Sequence, residues 1–402
     1  MKVLIFAFVC SAVYGFIASR VFRVRFDVGH GYTESKGRSL RMTRPLPGLM
    51  TRPEDLNVEK MGMPRVIKKI ESDGSEVWLM WLQGREAAFD TNSELPDLST
   101  GRIFFMDSPD GLNGWRLHED NPVINPNKEG DGDWWFFDAE HVGLGDVVVP
   151  GGNAASKFVT QDGVYLMYIF GGNSDKVDIG DKEMKGVRME IGVCVSQDGS
   201  HWSRVEGANP LGSILEPGDP ADFDGQMIGW PVVVEDGPAY RMYYSTYSPH
   251  EKRFIVAEAI SPDGMRWSKR GRVFDGGPKE AFDGMGASRR YITKDQANSN
   301  AVYKMWYEGI SEKGVHSIGL AISQDGTVWE RVGNQAVFSA SEDEFAWDAG
   351  GVGSPHLVWL EDRRRWRMYY VGSDLASNKF QIGVAESTDE EGLSFERLSV
   401  IG

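Results

Sequence analysis

One short pattern recurs along this chain and restricts its fold more than any other feature: a Ser-x-Asp-Gly turn followed by an aromatic residue. It stands at Ser108-Pro109-Asp110-Gly111, Ser196-Gln197-Asp198-Gly199, Ser261-Pro262-Asp263-Gly264 and Ser323-Gln324-Asp325-Gly326, with a degenerate copy at Ser387-Thr388-Asp389. The aromatics are Trp115, Trp202, Trp267, Trp329 and Phe395, and successive serines lie 88, 65, 62 and 64 residues apart. Asp-Gly supplies the positive φ of a tight hairpin, and alternating apolar residues on either side predict its strands. Upstream of each turn comes a second element: Trp78-Leu79-Met80-Trp81, Tyr165-Leu166-Met167-Tyr168, Tyr240-Arg241-Met242-Tyr243, Tyr303-Lys304-Met305-Trp306 and Trp366-Arg367-Met368-Tyr369. An Ile-Gly-x-Ala-like strand lies between the two, as at Ile318-Gly319-Leu320-Ala321, and further upstream a glycine opens another apolar strand.

Each unit therefore offers four strands in order. Four antiparallel strands repeated in this way predict an all-β chain, a five-bladed β-propeller of four-stranded blades. The blades are expected at about 56–120, 133–207, 221–272, 280–333 and 343–400, within a domain spanning 54–402. The insertions at 89–101 and 173–186 are expected as rim loops. A formal net charge of −16 argues against nucleic acid as a partner. Two cysteines exclude a disulfide framework, and Cys194, flanked by Val193 and Val195, reads as a buried small hydrophobe.

Residues 1–53 read as a leader. Lys2 precedes an apolar run from Val3 to Ile17, of secretory length and too short to span a bilayer. Val13 and Gly15 fit a cleavage site that would leave Phe16 first. The stretch to about Met50 carries Arg20, Arg23, Arg25, Arg38, Arg41 and Arg44 against Asp27 and Glu34. Signal plus transit, with Phe at the junction, resembles the bipartite presequence of secondary plastids, which implies a plastid location reached through the secretory pathway; the alternative is a secreted protein with a basic N-terminal stretch. The mature chain is expected to have no integral membrane association.

The repeat also carries a family resemblance. Phe/Trp-Asp pairs open the units (Phe137-Asp138, Phe223-Asp224, Phe282-Asp283, Trp347-Asp348), followed by a Gly-x-Pro inner strand and a Met-Tyr-Tyr second strand. These features resemble the five-bladed glycoside hydrolase superfamily of arabinanases and xylosidases, invertases and levansucrases, and mannoside phosphorylases. The resemblance covers the chain after the leader. It implies a glycosidase, a hydrolase or a phosphorylase, acting on an oligo- or polysaccharide by acid/base carboxylate catalysis in the central channel; with no phosphate loop or dinucleotide fingerprint in the sequence, no cofactor is expected, a channel calcium aside. The alternatives are a non-catalytic carbohydrate-binding propeller or a protein-interaction propeller. The turn is also similar to the Asp box of sialidases, but that motif separates Asp from Gly and belongs to six-bladed rings. There is no Asn-Asp-Pro-Asn-Gly, Arg-Asp-Pro or Glu-Cys, so sucrose and fructan chemistry is unsupported.

A residue present in every unit serves the unit first; one that breaks the pattern is the better site candidate. The opening aspartates are by this test structural. Three residues before the inner-strand glycine stand Glu59, Glu140, Gln226, Asp283 and Gly350; three after it stand Arg65, Asp146, Val232, Arg289 and His356. At the end of the second strand stand Gln83, Phe170, Ser245, Glu308 and Val371, with Glu308 the one acid of that column. In an antiparallel pair the start of strand one and the end of strand two emerge on one face, so these columns are expected at one mouth of the channel. Glycosidic cleavage needs a protonated and an ionised carboxyl across the bond. The resemblance gives Glu59 the place of base or nucleophile and Asp224 that of tuning acid. Glu308 is the expected proton donor, with Glu140 in the acid pool. Arg65, Arg289, Trp230, Asp138 and His356 are the expected substrate-binding residues, the tryptophan by stacking on a sugar ring or by packing between units. No metal set stands out; a channel calcium near His356 is the one metal the resemblance allows.

Overall fold

Each recurring motif becomes a strand or the turn between two strands. The computed structural model describes residues 49–51, 56, 58, 60–85, 101–127, 135–151, 158–159, 163–179, 182–294, 303–376 and 379–399. Residues 1–48 and 52–53 of the expected leader, Glu59, Trp134 and residues 89–100 of the first insertion lie outside the described residues, whereas Leu49–Thr51 pairs with the strand Phe380–Ser387 and the second insertion holds a two-stranded hairpin.

The chain is all-β and built on four-stranded antiparallel sheets. After β1 (Leu49–Thr51), the first array comprises β2 (Lys60–Ile70), β3 (Glu76–Arg85), β4 (Gly101–Ser108) and β5 (Arg116–Leu117). Next come β6 (His141–Val148), β7 (Phe158–Val159), β8 (Tyr165–Gly172), the hairpin β9 (Val177–Ile179) and β10 (Lys182–Met184), then β11 (Met189–Ser196) and β12 (Ser203–Val205). The chain continues through β13 (Gly229–Asp236), β14 (Ala239–Ser248), β15 (Arg253–Ser261) and β16 (Ser268–Phe274). It then forms β17 (Ala287–Lys294), β18 (Tyr303–Ile310), β19 (His316–Ser323) and β20 (Glu330–Arg331). It ends with β21 (Gly351–Leu360), β22 (Arg365–Ser373), β23 (Phe380–Ser387) and β24 (Phe395–Arg397). Three four-stranded sheets run β6–β8–β11–β12, β13–β14–β15–β16 and β17–β18–β19–β20. In a ten-stranded sheet the order β21–β22–β23–β2–β3–β4–β5 joins two further arrays through a parallel pairing of Lys60 with Phe380. There β24 and β1 also pair with β23, and β7 with β2.

Burial follows from this order. The first and second strands of a unit are enclosed on both faces, so β6 and β8 are buried along their whole length. The fourth strands alternate or face water, as β16 does. The first strands meet one another: β2 contacts β21 and β6, β13 contacts β6 and β17, and β17 contacts β21.

The two strongest motifs meet at the seams between units. The aromatic that ends the Met-Tyr/Trp element donates to the carbonyl of the Ser-x-Asp-Gly glycine in the next unit. Trp81 Nε1 donates to Gly199 O (2.7 Å), Tyr168 Oη to Gly264 O (3.1 Å) and Tyr243 Oη to Gly326 O (2.8 Å). Trp306 Nε1 donates to Gly392 O (3.0 Å), and Tyr369 Oη returns to Gly111 O of the first unit (2.7 Å). The turn itself is held by its own side chains: Ser323 Oγ accepts from Gly326 N, and Asp325 Oδ1 accepts from the amides of Thr327 and Val328.

The opening aspartates are structural, as their repetition predicts. Asp138, Asp224, Asp283 and Asp348 are buried and each meets a base on the fourth strand of its own unit: Arg204 (2.7 Å), Lys269 (2.7 Å), Arg331 (2.8 Å) and Arg397 (2.7 Å). Tyr244, Tyr307 and Tyr370 donate to the last three. The bases stand two residues after the motif aromatic, a signal present in the sequence and not used there.

Candidate functional site

The inner strands carry a β-bulge in every unit, and the bulges build the site. In the first, third and fifth units two residues of the inner strand, Met63-Pro64, Trp230-Pro231 and Ser354-Pro355, lie opposite Leu82, Tyr244 and Tyr370. Met63, Trp230 and Ser354 adopt left-handed φ of 51°, 49° and 49°, a conformation costly for a residue with a side chain. All three line one cleft, with Lys60, Gln83, Arg85, Arg289 and Phe380 among its other walls. Backbone strain thus gathers where the first strands begin and the second strands end, the mouth predicted from antiparallel geometry.

The fourth unit departs from the others, and it departs from the sequence alignment too. Its bulge, Ser288-Arg289, lies opposite Glu308, one step nearer the strand start. Arg289 is therefore not the counterpart of Arg65. The residue facing Trp306, as Arg65 faces Trp81 and His356 faces Tyr369, is Tyr291. The alignment slipped because it was anchored on Gly286, which precedes β17. That glycine has φ +98°, and a Cβ on it would stand 2.0 Å from Phe254 O; it serves a close contact with the third unit. Bulges re-aim side chains, and this one aims Arg289 at Glu308.

Glu308 is fully buried, and its carboxylate faces donors on both oxygens. Arg289 Nη1 lies 2.8 Å from Oε1, His316 Nδ1 donates to the same oxygen at 2.7 Å, and the Ser354 amide donates to Oε2 at 2.7 Å. Gly353 makes the room, since a Cβ there would stand 2.2 Å from Oε2. Burial alone would raise the Glu308 carboxyl, but the Arg289 charge, the His316 hydrogen bond and the Ser354 amide overcome it and hold it at about 2. A carboxylate held ionised has no proton to give at neutral pH, so this state does not suit Glu308 to the expected proton-donor role. Arg289 also lies 5.1 Å from the centre of the Trp230 ring, which packs on Phe170. Glu308, Arg289 and Trp230 are therefore brought together, with Trp230 and Arg289, themselves buried, lining the cleft and Glu308 behind them.

Other expected site residues go elsewhere. Arg65 is buried among the inner strands, where Nε donates to Gly145 O (2.6 Å) and Nη2 to Arg290 O (3.3 Å); it ties these strands together and does not line the cleft. His356 Nε2 bonds Val66 O at 2.9 Å and its ring packs on Tyr291. Asp146 accepts from Val233 N of the next unit. Arg290, also fully buried, has its pKa lowered to about 9, by burial first and then by the Arg65 charge. Two guanidiniums and an imidazole bonded to a carbonyl do not fit a channel calcium, and no group of three metal-ligating side chains occurs among the described residues. Asp138 and Asp224 are held in their unit-opening ion pairs. Glu140 is buried at the start of β6, its amide donating to Gly172 O, and it is not among the cleft-lining residues. Beside it, burial pushes His141 down to about 4, so its ring is neutral near pH 7. Cys194 is buried and pushed up to about 12 by burial, consistent with a packing role.

Sequence reasoning missed His316, Lys60, Arg85 and the Ser354 amide. His316 opens the third strand two residues from Ile318, the partner of Glu308, so both side chains share one face. That diagonal was open to inspection in the sequence. The amide was not, because its role depends on φ rather than residue type.

No family model matches the chain. An uncharacterized Mycobacterium tuberculosis protein, Rv1502, is 27% identical over 202 residues, which is 49% of this chain and 61% of that protein's length. Among solved structures, BT0996, in a complex with RGII, has a TM-score of 0.61 at 17% identity, covering 86% of this chain and 92% of the other. A glycoside hydrolase has a TM-score of 0.60 at 18% identity (86% and 91% covered). The β-1,2-mannobiose phosphorylase from Listeria innocua has a TM-score of 0.55 at 13% identity (86% and 95%). No helix among the described residues is long and apolar enough to cross a membrane. At these identities the likeness is one of architecture, and the architecture is of the β-propeller type found in glycoside hydrolases and a phosphorylase.

Proposed function

We propose that the five units close into a five-bladed propeller whose mouth binds carbohydrate and acts on a glycosidic bond of an oligo- or polysaccharide. The observation that carries this reading is the cleft itself: left-handed bulge residues of three units converge on it, and the largely buried Trp230 and Arg289 line it, backed by an ionised, fully buried Glu308. The return of the seam bonds from Tyr369 to Gly111 supports the closed ring. In this reading Glu308 positions Arg289 against the Trp230 ring. The catalytic carboxyl then falls to Glu59, the expected base or nucleophile at the start of the first unit, with Glu140, buried and apart from the cleft lining, as its comparison in the second. Similarity of fold to a glycoside hydrolase and a mannobiose phosphorylase supports the reaction class without supplying its residues.

The test is to replace Glu59 and Glu140 by Gln separately and assay arabinan, xylan and mannosides, with and without inorganic phosphate. Loss of a catalytic carboxyl is expected to lower kcat by about 100-fold or more while the fold persists. Unchanged turnover in both variants would refute the assignment. A second reading, sugar binding without cleavage, is favoured by one observation: the described lining of the cleft contains cations and aromatics but no carboxylate. Saturable binding by an intact protein that turns over none of these substrates would select it.

A further inference from the structure

Each unit places a glycine near the start of its first strand, and what lies over that glycine sets the first unit apart. A Cβ on Gly143 would stand 2.3 Å from the Phe170 ring, one on Gly229 3.4 Å from the same ring, and one on Gly353 2.2 Å from Glu308 Oε2. The residue that ends a second strand therefore fills the space in front of these glycines. Gly62 differs: among the described residues nothing lies within 4 Å of its Cβ position, and its φ is not left-handed. Neither backbone conformation nor a close neighbour demands glycine there. In the fifth unit the counterpart of Glu308 is Val371, which is too short to cover Gly62 as Glu308 covers Gly353. Gly62 and Val371 both line the cleft, which is thus an open position of the repeat where the fifth and first units meet. Directly across the strand pair from Gly62 stands Gln83, so its side chain shares the face of the open space. Gln83 is only 4% exposed, lines the cleft, and its Nε2 has no hydrogen-bond partner among the described residues. A buried donor without a partner costs stability, so its presence beside an open position points to a ligand that accepts from it.

We propose that Gly62 and Gln83 form a subsite for the hydroxyl-bearing edge of a neutral sugar ring, an inference that rests on the carbohydrate reading above and locates its substrate contact. The ring edge enters the space over Gly62, where a side chain would exclude it. The Gln83 amide, turning about its last torsion, donates from Nε2 to one hydroxyl oxygen and accepts at Oε1 from the hydroxyl on the next carbon. A vicinal diol complements this donor–acceptor pair. An ionised carboxylate or phosphate only accepts, and would leave Oε1 facing an oxygen. Discrimination follows, because a sugar lacking either hydroxyl leaves the amide unpaired in a buried setting.

The experiment is calorimetric titration of the full chain with neutral disaccharides and trisaccharides of arabinose, xylose, mannose, galactose and glucose, with urea unfolding of each variant alongside. Gly62→Val and Gln83→Leu should each weaken the tightest-binding of these sugars about tenfold or more. Both should unfold at a urea concentration equal to or above that of the wild type. The first adds a β-branched side chain to a strand where there is room for it, and the second removes an unpaired buried donor. A residue that served only the scaffold would show the opposite pairing, stability lost and affinity kept. If Gly62→Val fails to fold, Gly62→Ala takes its place. Unchanged affinity in either variant overturns the inference and leaves the carbohydrate reading intact. A loss of affinity in Gln83→Leu that comes with a loss of stability overturns it as well, because the amide would then hold the fold. Binding of no sugar in the panel refutes the carbohydrate reading and this inference with it.

Discussion

Replacing Glu308 by Gln tests the centre of the site. The substitution keeps the shape and removes the charge. In the wild type both carboxylate oxygens accept, Oε1 from Arg289 and His316 and Oε2 from Ser354. An amide has one oxygen and one NH2 group. With the oxygen at the first place, its nitrogen faces the Ser354 amide; with the oxygen at the second, its nitrogen faces Arg289. Each orientation creates a donor–donor contact in a fully buried setting and leaves the Arg289 guanidinium without this carboxylate. Breaking a buried ion pair from one side costs about 3–5 kcal/mol. Linkage gives an independent figure. The carboxyl shifts from 4.5 to about 2 on folding, and at 1.36 kcal/mol per pKa unit this amounts to about 3 kcal/mol. As pH falls, the unfolded chain takes up its proton first. The contribution is therefore complete above about pH 4.5 and lost progressively toward pH 2, where the folded carboxyl also protonates. Urea unfolding of both proteins across this range provides the assay. The wild type should exceed Glu308→Gln by about 3 kcal/mol at pH 7, with the difference closing toward pH 2. A gap under about 1 kcal/mol at pH 7, or one of equal size at pH 3 and pH 7, would refute the electrostatic account.

Two further outcomes follow from the scaffold, beside those given for Glu59 and Glu140. Tyr369→Phe removes the seam bond to Gly111 and is expected to cost about 1 kcal/mol in urea unfolding, similar to Tyr243→Phe at the Gly326 seam. A loss at Tyr243 with none at Tyr369 would speak against equivalent seams around a ring. Asp283→Asn weakens acceptance from Arg331 and Tyr307 and should cost about 2 kcal/mol while leaving ligand affinity at the cleft unchanged. Altered affinity without altered stability would place Asp283 in the site rather than the scaffold.

The scaffold was legible because it is written five times. Repetition exposed the Ser-x-Asp-Gly turn and the Met-Tyr/Trp strand, and their joint role at the seams follows once Trp81 is seen to bond Gly199. The opening aspartates were assigned to structure for the same reason, and the bases that pair with them occupy a fixed offset from the motif aromatic, equally open to inspection. A five-fold control averages away accidents in any one unit.

That strength is also why the site was harder to read. Counting from a shared glycine assumes that all inner strands bulge at the same step, and the fourth unit does not. There Gly286 marks the approach of Phe254, and the displaced bulge moves Arg289 out of the column of Arg65 and His356, where Tyr291 stands instead. A side-chain period of two means that a single-residue slip reverses which face a group serves. Arg65 and Arg289 look alike in sequence, yet one binds carbonyls of neighbouring inner strands while the other faces Trp230 and Glu308. Glu308 was found because it broke its column, but its protonation state depends on partners from three places: a bulged strand, the start of β19 and an amide turned by a left-handed serine. Composition and spacing locate such a carboxyl; only the register determines whether it holds a proton.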